Sequence, residues 1–406
     1  MSARIATFGV LLALWGCGSQ PSAAVFATSG TGTWRALPPI PTPYDGDGGG
    51  SGNLVEGAFR QSLFSNGGDV LAPVTFALGP AYTTTSGGAL SFDLKTNQWG
   101  EISAGLFYPP NADGVLLWTG QEVILFGGSG CGGTDGTCSG HGVWNPSTGV
   151  VKTMSLVGAP PFGAPSVTLW AGTRMIVLGA ILEGESVNDS GTTVLSYTMY
   201  DPQTDIWTPM AAPPTPCGGI VVWTGTEMLG WGGSSFLAYD PTRDAWSTLP
   251  SVGQPSTSRA GPAAVWTGTE MIIWGGATLL SNPPSGGPYE SAPLADGAAY
   301  NPTTKTWRSI SAPNTGLMGP AAVWTGTEML VWGGSDEYNC GGGADCPGSN
   351  LGYRYNPTTD QWQYTTTVNA PGPRTGPGAV WTGTSLMIWG GYQALGAATD
   401  GAQWFP

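Results

Sequence analysis

The phrase VWTGTEM stands at Val222–Met228, Val265–Met271 and Val323–Met329 of this chain. Looser copies stand at Leu117–Val123, Leu169–Met175 and Val380–Leu386. Most copies are followed by a strand-like run ending in a glycine pair, then a loop, then a phrase of the form Y-[DN]-P-x-T-x-x-W. Self-similarity at a spacing of roughly 40–60 residues is typical of repeat architectures. The sequence therefore predicts one small unit that recurs along the chain.

One repeat, residues 319–365, reads as four short strands. The apolar run Gly319–Trp324 predicts a first strand, TGTE (Thr325–Glu328) a tight turn, and Met329–Gly334 a second strand. After a loop, Gly352–Pro357 predicts a third strand that stops at proline, and Thr358–Thr365 a turn and a fourth strand. Four antiparallel strands per repeat, without helices, are typical of a propeller blade.

These residues resemble the kelch repeat of kelch-type β-propellers. The glycine pairs are Gly127–Gly128, Gly232–Gly233, Gly275–Gly276, Gly333–Gly334 and Gly390–Gly391, with degenerate copies at Leu78–Gly79 and Leu178–Gly179. The resemblance covers about residues 33–406 and implies seven blades. The chain departs from the kelch pattern R-x-G-H in the first strand, because proline replaces the histidine and arginine remains only at Arg259 and Arg374.

The two ends of the chain complete one blade. The last repeat stops at its third strand, Gly401–Pro406, and the N-terminal phrase Gly32–Pro39 matches the fourth-strand phrase Asp205–Pro214. We therefore expect an all-β, seven-bladed propeller over residues 32–406 whose last blade is closed by the N-terminal strand. Such closure leaves no open sheet edge.

The start of the chain predicts export. Arg4 precedes the short apolar run Ile5–Trp15, and LWGC places Cys17 as in a bacterial lipobox. The sequence thus predicts a signal peptide at 1–16, an acylated Cys17 and a flexible tether at 17–31; the alternative is a plain secretory signal with a chance cysteine. We therefore expect an extracytoplasmic, lipid-anchored protein. Because the residue after Cys17 is Gly18 and not aspartate, the expected location in a Gram-negative cell is the outer membrane or the cell surface.

Cysteine spacing agrees with export. Two pairs, Cys131 with Cys138 and Cys340 with Cys346, each lie within one loop and predict local disulfides, and Cys217 is left over. A metal site is the alternative use of such cysteines, but it lacks partners because the chain has 1 His.

Composition excludes some partners and cofactors. A net charge of −14 with 12 Lys+Arg argues against binding to nucleic acid or anionic lipid, so the membrane is expected only through the anchor. Asp45 and Asp47 lie in a glycine-rich loop, where we favour a solvated loop over a calcium site. The single histidine, His141, excludes a multi-histidine zinc site and a copper site of galactose-oxidase type, whose propeller the kelch fold resembles. We expect no cofactor.

The loops between second and third strands differ among repeats, whereas the TGTE turns recur. Recurrence predicts a structural role for the turn acids Glu122, Glu227, Glu270 and Glu328, and variable loops on one face indicate the binding face. The candidate ligand contacts there are Arg60, Arg259, Arg374, His141, Glu183, Glu290, Asp336, Glu337 and Tyr338. The arginines have a second interpretation, in which they hold loop carbonyls.

Scarcity of charge and histidine favours a non-catalytic, monomeric, lipid-anchored module that binds a protein or glycan through this face. The alternative is a propeller enzyme that acts on a sugar, of mutarotase or epimerase type. That enzyme requires, for example, Arg259 or Arg374 within about 5 Å of a loop glutamate whose pKa is perturbed, near the propeller axis.

Overall fold

The computed structural model describes residues 30–38, 63–65, 69–78, 84–107, 115–126, 141–160, 167–180, 196–215, 219–232, 235–256, 259–279, 291–336, 347–393, 396–398 and 400–406. In these ranges every regular element is a β-strand. None of the described residues forms a helix that is long and apolar enough to cross a membrane.

The strands of the first half are short and follow the repeats. In chain order they are β1 (Thr33–Ala36), β2 (Phe64–Ser65), β3 (Asp69–Leu78), β4 (Thr84–Asp93), β5 (Gln98–Phe107), β6 (Val115–Trp118), β7 (Val123–Phe126), β8 (Gly142–Trp144), β9 (Val151–Thr153), β10 (Val167–Trp170), β11 (Met175–Ala180), β12 (Ser196–Asp201), β13 (Ile206–Pro209), β14 (Ile220–Trp223), β15 (Met228–Gly232), β16 (Ser235–Asp240) and β17 (Ala245–Thr248).

The second half continues the pattern and adds two short excursions. Its strands are β18 (Arg259–Ala260), β19 (Ala263–Trp266), β20 (Met271–Trp274), β21 (Ala277–Leu279), β22 (Ser291–Pro293), β23 (Gly297–Asn301), β24 (Thr306–Ile310), β25 (Ala321–Trp324), β26 (Met329–Trp332), β27 (Gly352–Asn356), β28 (Gln361–Tyr364), β29 (Gly378–Trp381), β30 (Leu386–Trp389), β31 (Tyr392–Gln393), β32 (Gly396–Ala397) and β33 (Gly401–Phe405).

Seven four-stranded antiparallel sheets lie within the described residues. Sheet I is β2–β5, sheet II β6–β9, sheet III β10–β13, sheet IV β14–β17, sheet V β19, β20, β23 and β24, sheet VI β25–β28, and sheet VII β29, β30, β33 and β1. Strands β18, β21 and β22 form a small additional sheet, and β31 pairs with β32. The predicted all-β class, with four antiparallel strands per repeat, is confirmed.

The core lies between sheets rather than within one. Six apolar clusters join sheets II and III, III and IV, IV and V, V and VI, VI and VII, and VII and I. Between V and VI, for example, the Trp274 ring meets the Tyr353 ring edge-on at 5.7 Å. The first strands of the sheets contact one another in the same order, with β29 against β2. Face-to-face packing in series is the arrangement of a β-propeller.

The glycine pairs permit this close packing. Gly275 and Gly276 have φ angles of 73° and 84°, which favour glycine. A Cβ on Gly275 would lie 2.8 Å from the Leu317 carbonyl oxygen of the next repeat. The Gly276 N–H donates to that same carbonyl at 2.8 Å. The pairs thus let one repeat hydrogen-bond directly to the backbone of the next.

The N-terminal strand closes sheet VII. Strand β1 pairs antiparallel with β33, with Trp34 opposite Trp404. Trp34 is buried, and its indole N–H donates to the Thr366 carbonyl at 2.6 Å. The outermost strand of this sheet therefore comes from the opposite end of the chain, as the sequence predicts.

In sheets III, IV and VI a recurring clamp ties the outer edge to the preceding repeat. In sheet IV the Tyr239 hydroxyl donates to the Asp244 carboxylate at 2.7 Å. That carboxylate also accepts the Ala211 N–H at 2.8 Å, and the Trp246 indole donates to the Ala211 carbonyl at 2.8 Å. The same clamp in sheets III and VI uses Tyr200, Asp205, Trp207 and Ser155, and Tyr355, Asp360, Trp362 and Ser311.

Sheet V carries an altered clamp. Trp307 still donates to the preceding carbonyl, here of Pro250, at 3.0 Å. Proline has no N–H to give to a carboxylate, and Lys305 stands where sheets III, IV and VI have aspartate. The buried Tyr300 hydroxyl has no hydrogen-bond partner among the described residues. In this repeat the donor and the acceptor of the clamp are lost together.

Replacing Asp244 by glycine tests the clamp. Asp244 has a φ of 47°, which glycine adopts freely, so the change isolates the lost carboxylate. We expect Asp244→Gly to lower the free energy of unfolding by about 1–3 kcal/mol, because it leaves a buried hydroxyl without an acceptor. The matched control is Lys305→Gly, at φ 56° in the altered clamp, which should change stability little. Equal losses in urea unfolding would contradict the role of the clamp.

Candidate functional site

Arg259 and Asp296 form a partly buried ion pair next to sheet V. The Arg259 side chain is 0% exposed, and its Nη1 donates to the carbonyls of Gly275 at 3.0 Å and Asp296 at 3.2 Å. Its Nη2 lies 2.9 Å from Asp296 Oδ2. The Asp296 side chain itself remains 59% exposed. A buried cation therefore fixes a carboxylate that still faces solvent.

Arg374 and Asp400 repeat this arrangement next to sheet VII. Arg374 Nη1 donates to the carbonyls of Gly390 and Asp400, both at 3.0 Å. Its Nη2 lies 2.9 Å from Asp400 Oδ1, with side-chain exposures of 0% and 63%. Burial lowers the pKa of Arg374, and the Asp400 charge acts in the opposite direction.

Sheet VI has an apolar counterpart of these pairs. The phrases RAGP (259–262) and RTGP (374–377) align with LMGP (317–320), so Leu317 takes the place of arginine. Leu351 stands before Gly352 as Asp296 stands before Gly297. Both leucines are buried in one cluster. The ion pairs thus belong to repeats five and seven. Repeat six lies between them and has two leucines at the positions of the arginine and the aspartate.

A continuous series of backbone hydrogen bonds joins the two ion pairs. Gly276 of repeat five donates to Leu317 at 2.8 Å, and Ser335 and Met318 exchange bonds of 2.8 and 2.9 Å within repeat six. Gly334 then donates to the carbonyl of Arg374 at 3.0 Å. Both carboxylates therefore sit on one hydrogen-bonded frame, which suits groups whose positions must be held.

The structure assigns the two predicted arginines to their second interpretation, since both hold loop carbonyls with fully buried side chains. Asp336 is half-buried just after Ser335. Other predicted positions lie outside the described residues: Arg60, Glu183, Glu290, Glu337, Tyr338, Cys17, Cys131, Cys138, Cys340, Cys346, Asp45 and Asp47. The candidate set omits Asp296 and Asp400, although an available signal was the Asp-Gly step that accompanies each R-x-G-P phrase.

His141 lies just before β8, with its ring 5.6 Å from the ring of Phe126. Burial lowers its pKa. No cluster of three or more His, Cys, Asp or Glu suited to a metal occurs among the described residues. His141 is thus the only imidazole that this chain offers to a metal.

Comparison with known proteins shows the fold. No protein family matches the sequence, and no curated protein has significant similarity to it. Among solved structures, the chain is similar to a fungal alcohol oxidase of the AA5 family in complex with copper, with a TM-score of 0.60 and 13% identity over 92% of this chain and 76% of that one. This similarity supports a kelch-like β-propeller fold.

The same similarity contradicts the predicted non-catalytic protein- or glycan-binding module, because the similar structure is an enzyme. The prediction that the chain is not an enzyme is likewise wrong. It rested on the low overall content of charge and histidine, which does not show where the charges lie. The structure places two exposed carboxylates against buried arginines, and these are groups that can move protons.

The copper of that oxidase does not fit the residues of this chain. Copper(II) in proteins favours several nitrogen ligands, and imidazole is the usual donor. This chain has 1 His, packed against Phe126. We therefore derive no chemistry through copper.

Proposed function

We propose that this chain is a propeller enzyme that acts on a sugar by proton transfer, of mutarotase or epimerase type, with Asp296 and Asp400 as its acid and base. The observation that carries the proposal is that each exposed carboxylate is fixed by a fully buried arginine. One part of the arrangement expected of such an enzyme, an arginine beside a loop acid, is present twice, with aspartate as the acid. The enzymatic nature of the similar propeller adds support.

Mutarotation requires only proton movement and one reversible bond cleavage. A carboxylate takes the proton of the anomeric hydroxyl while a carboxylic acid protonates the ring oxygen, and the bond between the anomeric carbon and the ring oxygen breaks. Reclosure on the other face of the carbonyl reverses both transfers and gives the second anomer. The reaction consumes no oxidant and needs no metal, so it is compatible with the groups present.

We expect Asp296→Asn or Asp400→Asn to reduce aldose mutarotation by about 10²–10⁴-fold, because asparagine cannot exchange the proton. Anomer exchange, measured by NMR across a panel of aldoses and amino sugars, is the assay. The control is Asp240→Asn, since asparagine occupies the equivalent position as Asn301 in sheet V. A wild-type protein without activity on the panel, or variants with full activity, would refute the proposal.

We also propose that the protein is a lipoprotein anchored through Cys17. The supporting observation is the LWGC phrase after a short apolar run. Cys17→Ser is expected to abolish incorporation of labelled palmitate and to release the protein from membranes. Gly18→Ala is the control and should keep the label. Persistent labelling of the Cys17→Ser protein would exclude this anchor.

A further inference from the structure

The turn glutamates are paired with cations of their own sheets, with one exception. Glu122 lies 3.6 Å from Lys152 in sheet II, Glu270 lies 2.7 Å from Arg308 in sheet V, and Glu328 lies 2.8 Å from Arg354 in sheet VI. Glu227 of sheet IV forms no ion pair among the described residues, although the surrounding frame is the same.

The complete arrangement is seen between sheets V and VI. Arg308 donates to both carboxylate oxygens of Glu270, through Nε at 3.0 Å and Nη2 at 2.7 Å. Its Nη1 donates to the Tyr355 hydroxyl at 3.3 Å, and that hydroxyl donates in turn to Asp360. One guanidinium thus bridges a turn glutamate and the tyrosine of the next sheet.

Between sheets IV and V the bridging guanidinium is missing. Ser247 pairs with Ala238 in the register in which Arg308 pairs with Ala299, so serine occupies the arginine position. Tyr300 corresponds to Tyr355, and its buried hydroxyl has no hydrogen-bond partner within the described part of the chain. Ser247 is exposed, so the gap that a shorter side chain leaves is open to solvent.

The charge of Glu227 acts on Tyr300, which occupies the position that Tyr355 has relative to Glu270. Burial, followed by the charge of Asp240, raises the pKa of Glu227, and Lys305 opposes this effect. Burial, followed by the charge of Glu227, raises the pKa of Tyr300. Glu227 and Tyr300 both lack the bridging cation that Arg308 supplies between sheets V and VI. Their surroundings therefore favour a positively charged ligand.

We propose that the gap bounded by Glu227, Ser247 and Tyr300, here named the guanidinium slot, binds the guanidinium group of a ligand. The carboxylate accepts two parallel N–H bonds from the planar fork, and the Tyr300 hydroxyl accepts a third. The slot lies beside the TGTE turn, at the end of sheet IV opposite the loop face, so it is independent of the proposed sugar site.

Titration with methylguanidinium tests the slot. We expect saturable NMR shifts of the backbone amides of Thr226–Met228 and Tyr300, at methylguanidinium concentrations far below those that denature proteins. Methylammonium should bind more weakly, because it lacks the planar fork of a guanidinium. Glu227→Gln should weaken binding at least tenfold. Ser247→Arg should abolish it, because the new side chain fills the slot, and should raise the melting temperature by about 1–2 °C.

A matched control opens the same slot elsewhere. Arg308→Ser should create methylguanidinium binding beside Glu270, with amide shifts at Tyr355. The wild type is expected to show no shift at Tyr355, because Arg308 fills that position. The guanidinium group could belong to an arginine of a partner protein or to a small ligand, and a tripeptide with a central arginine distinguishes the two. If the tripeptide binds with the same affinity as methylguanidinium, the group belongs to a partner's arginine. If only methylguanidinium binds, the group belongs to a small ligand. Absence of saturable shifts in the wild type, or equal binding by Ser247→Arg, would overturn the proposal.

Discussion

Asp400→Leu is expected to lower the free energy of unfolding by about 1–3 kcal/mol, because it leaves the buried charge of Arg374 with carbonyl partners only, and the 63% exposure of the lost carboxylate limits the effect. The double change Arg374→Leu with Asp400→Leu should restore most of that loss. The reason lies in the protein itself, since repeat six fills the equivalent positions with Leu317 and Leu351, both buried. Replacing a buried ion pair by apolar residues of similar volume is often neutral in stability.

Urea unfolding of the wild type, Asp400→Leu, Arg374→Leu and the double variant gives the coupling energy of the pair. We expect a strongly non-additive cycle, as holds for groups in direct contact. If the proposed function is correct, the double variant should also lack mutarotase activity while it remains folded, which separates the proposed catalytic role of Asp400 from its role in stability. A double variant as unstable as the single one would show that the leucine pair of repeat six depends on other neighbours.

Removal of residues 1–37 should destabilise the protein severely, whereas removal of residues 1–29 should not. The longer deletion takes away β1 and exposes one edge of β33. It also removes Trp34, which packs 5.7 Å from the Trp332 ring and belongs to the cluster between sheets VI and VII. Trp34→Ala alone should cost about 3–5 kcal/mol, the range for truncating a buried tryptophan.

Arg35→Ala is the matched control for this strand, because Arg35 is exposed and its backbone pairing with Gln403 is unaffected. A synthetic peptide of residues 30–38 added to the longer deletion should recover part of the lost melting temperature. Identical melting curves for the two truncations would show that β1 is dispensable to the ring.

The sequence predicts the fold well because the repeats supply their own alignment. The TGTE turns, the glycine pairs and the outer tryptophans give the strand order, and the unmatched phrase at Gly32–Pro39 gives the closing strand. Direction of a side chain is harder to predict. Arg259 has the same neighbours in sequence whether it faces a ligand or a carbonyl, and only the fold shows it turned toward Gly275.

The two exposed carboxylates of the candidate site were not predicted, for a related reason. Net composition describes the average of the chain, whereas chemistry depends on a few groups brought together. Asp400 lies far in sequence from most of the loops that were considered as binding elements. Its ion pair with the buried Arg374, which makes it a candidate, is visible only in the folded structure. Glu227, which forms no ion pair among the described residues, lies in the repeated TGTE turn. The repetition of this turn predicts only a structural role for its glutamates.

The pairing of β1 with β33 also determines the order of assembly. The two strands are separated by nearly the whole chain, so their contact has close to the greatest sequence separation that the protein allows. Contacts of that kind form late, since the entropy of joining distant segments is paid before the contact stabilises them. During synthesis, sheet VII therefore keeps one edge of β33 unpaired until β1, which was synthesised first, pairs with it.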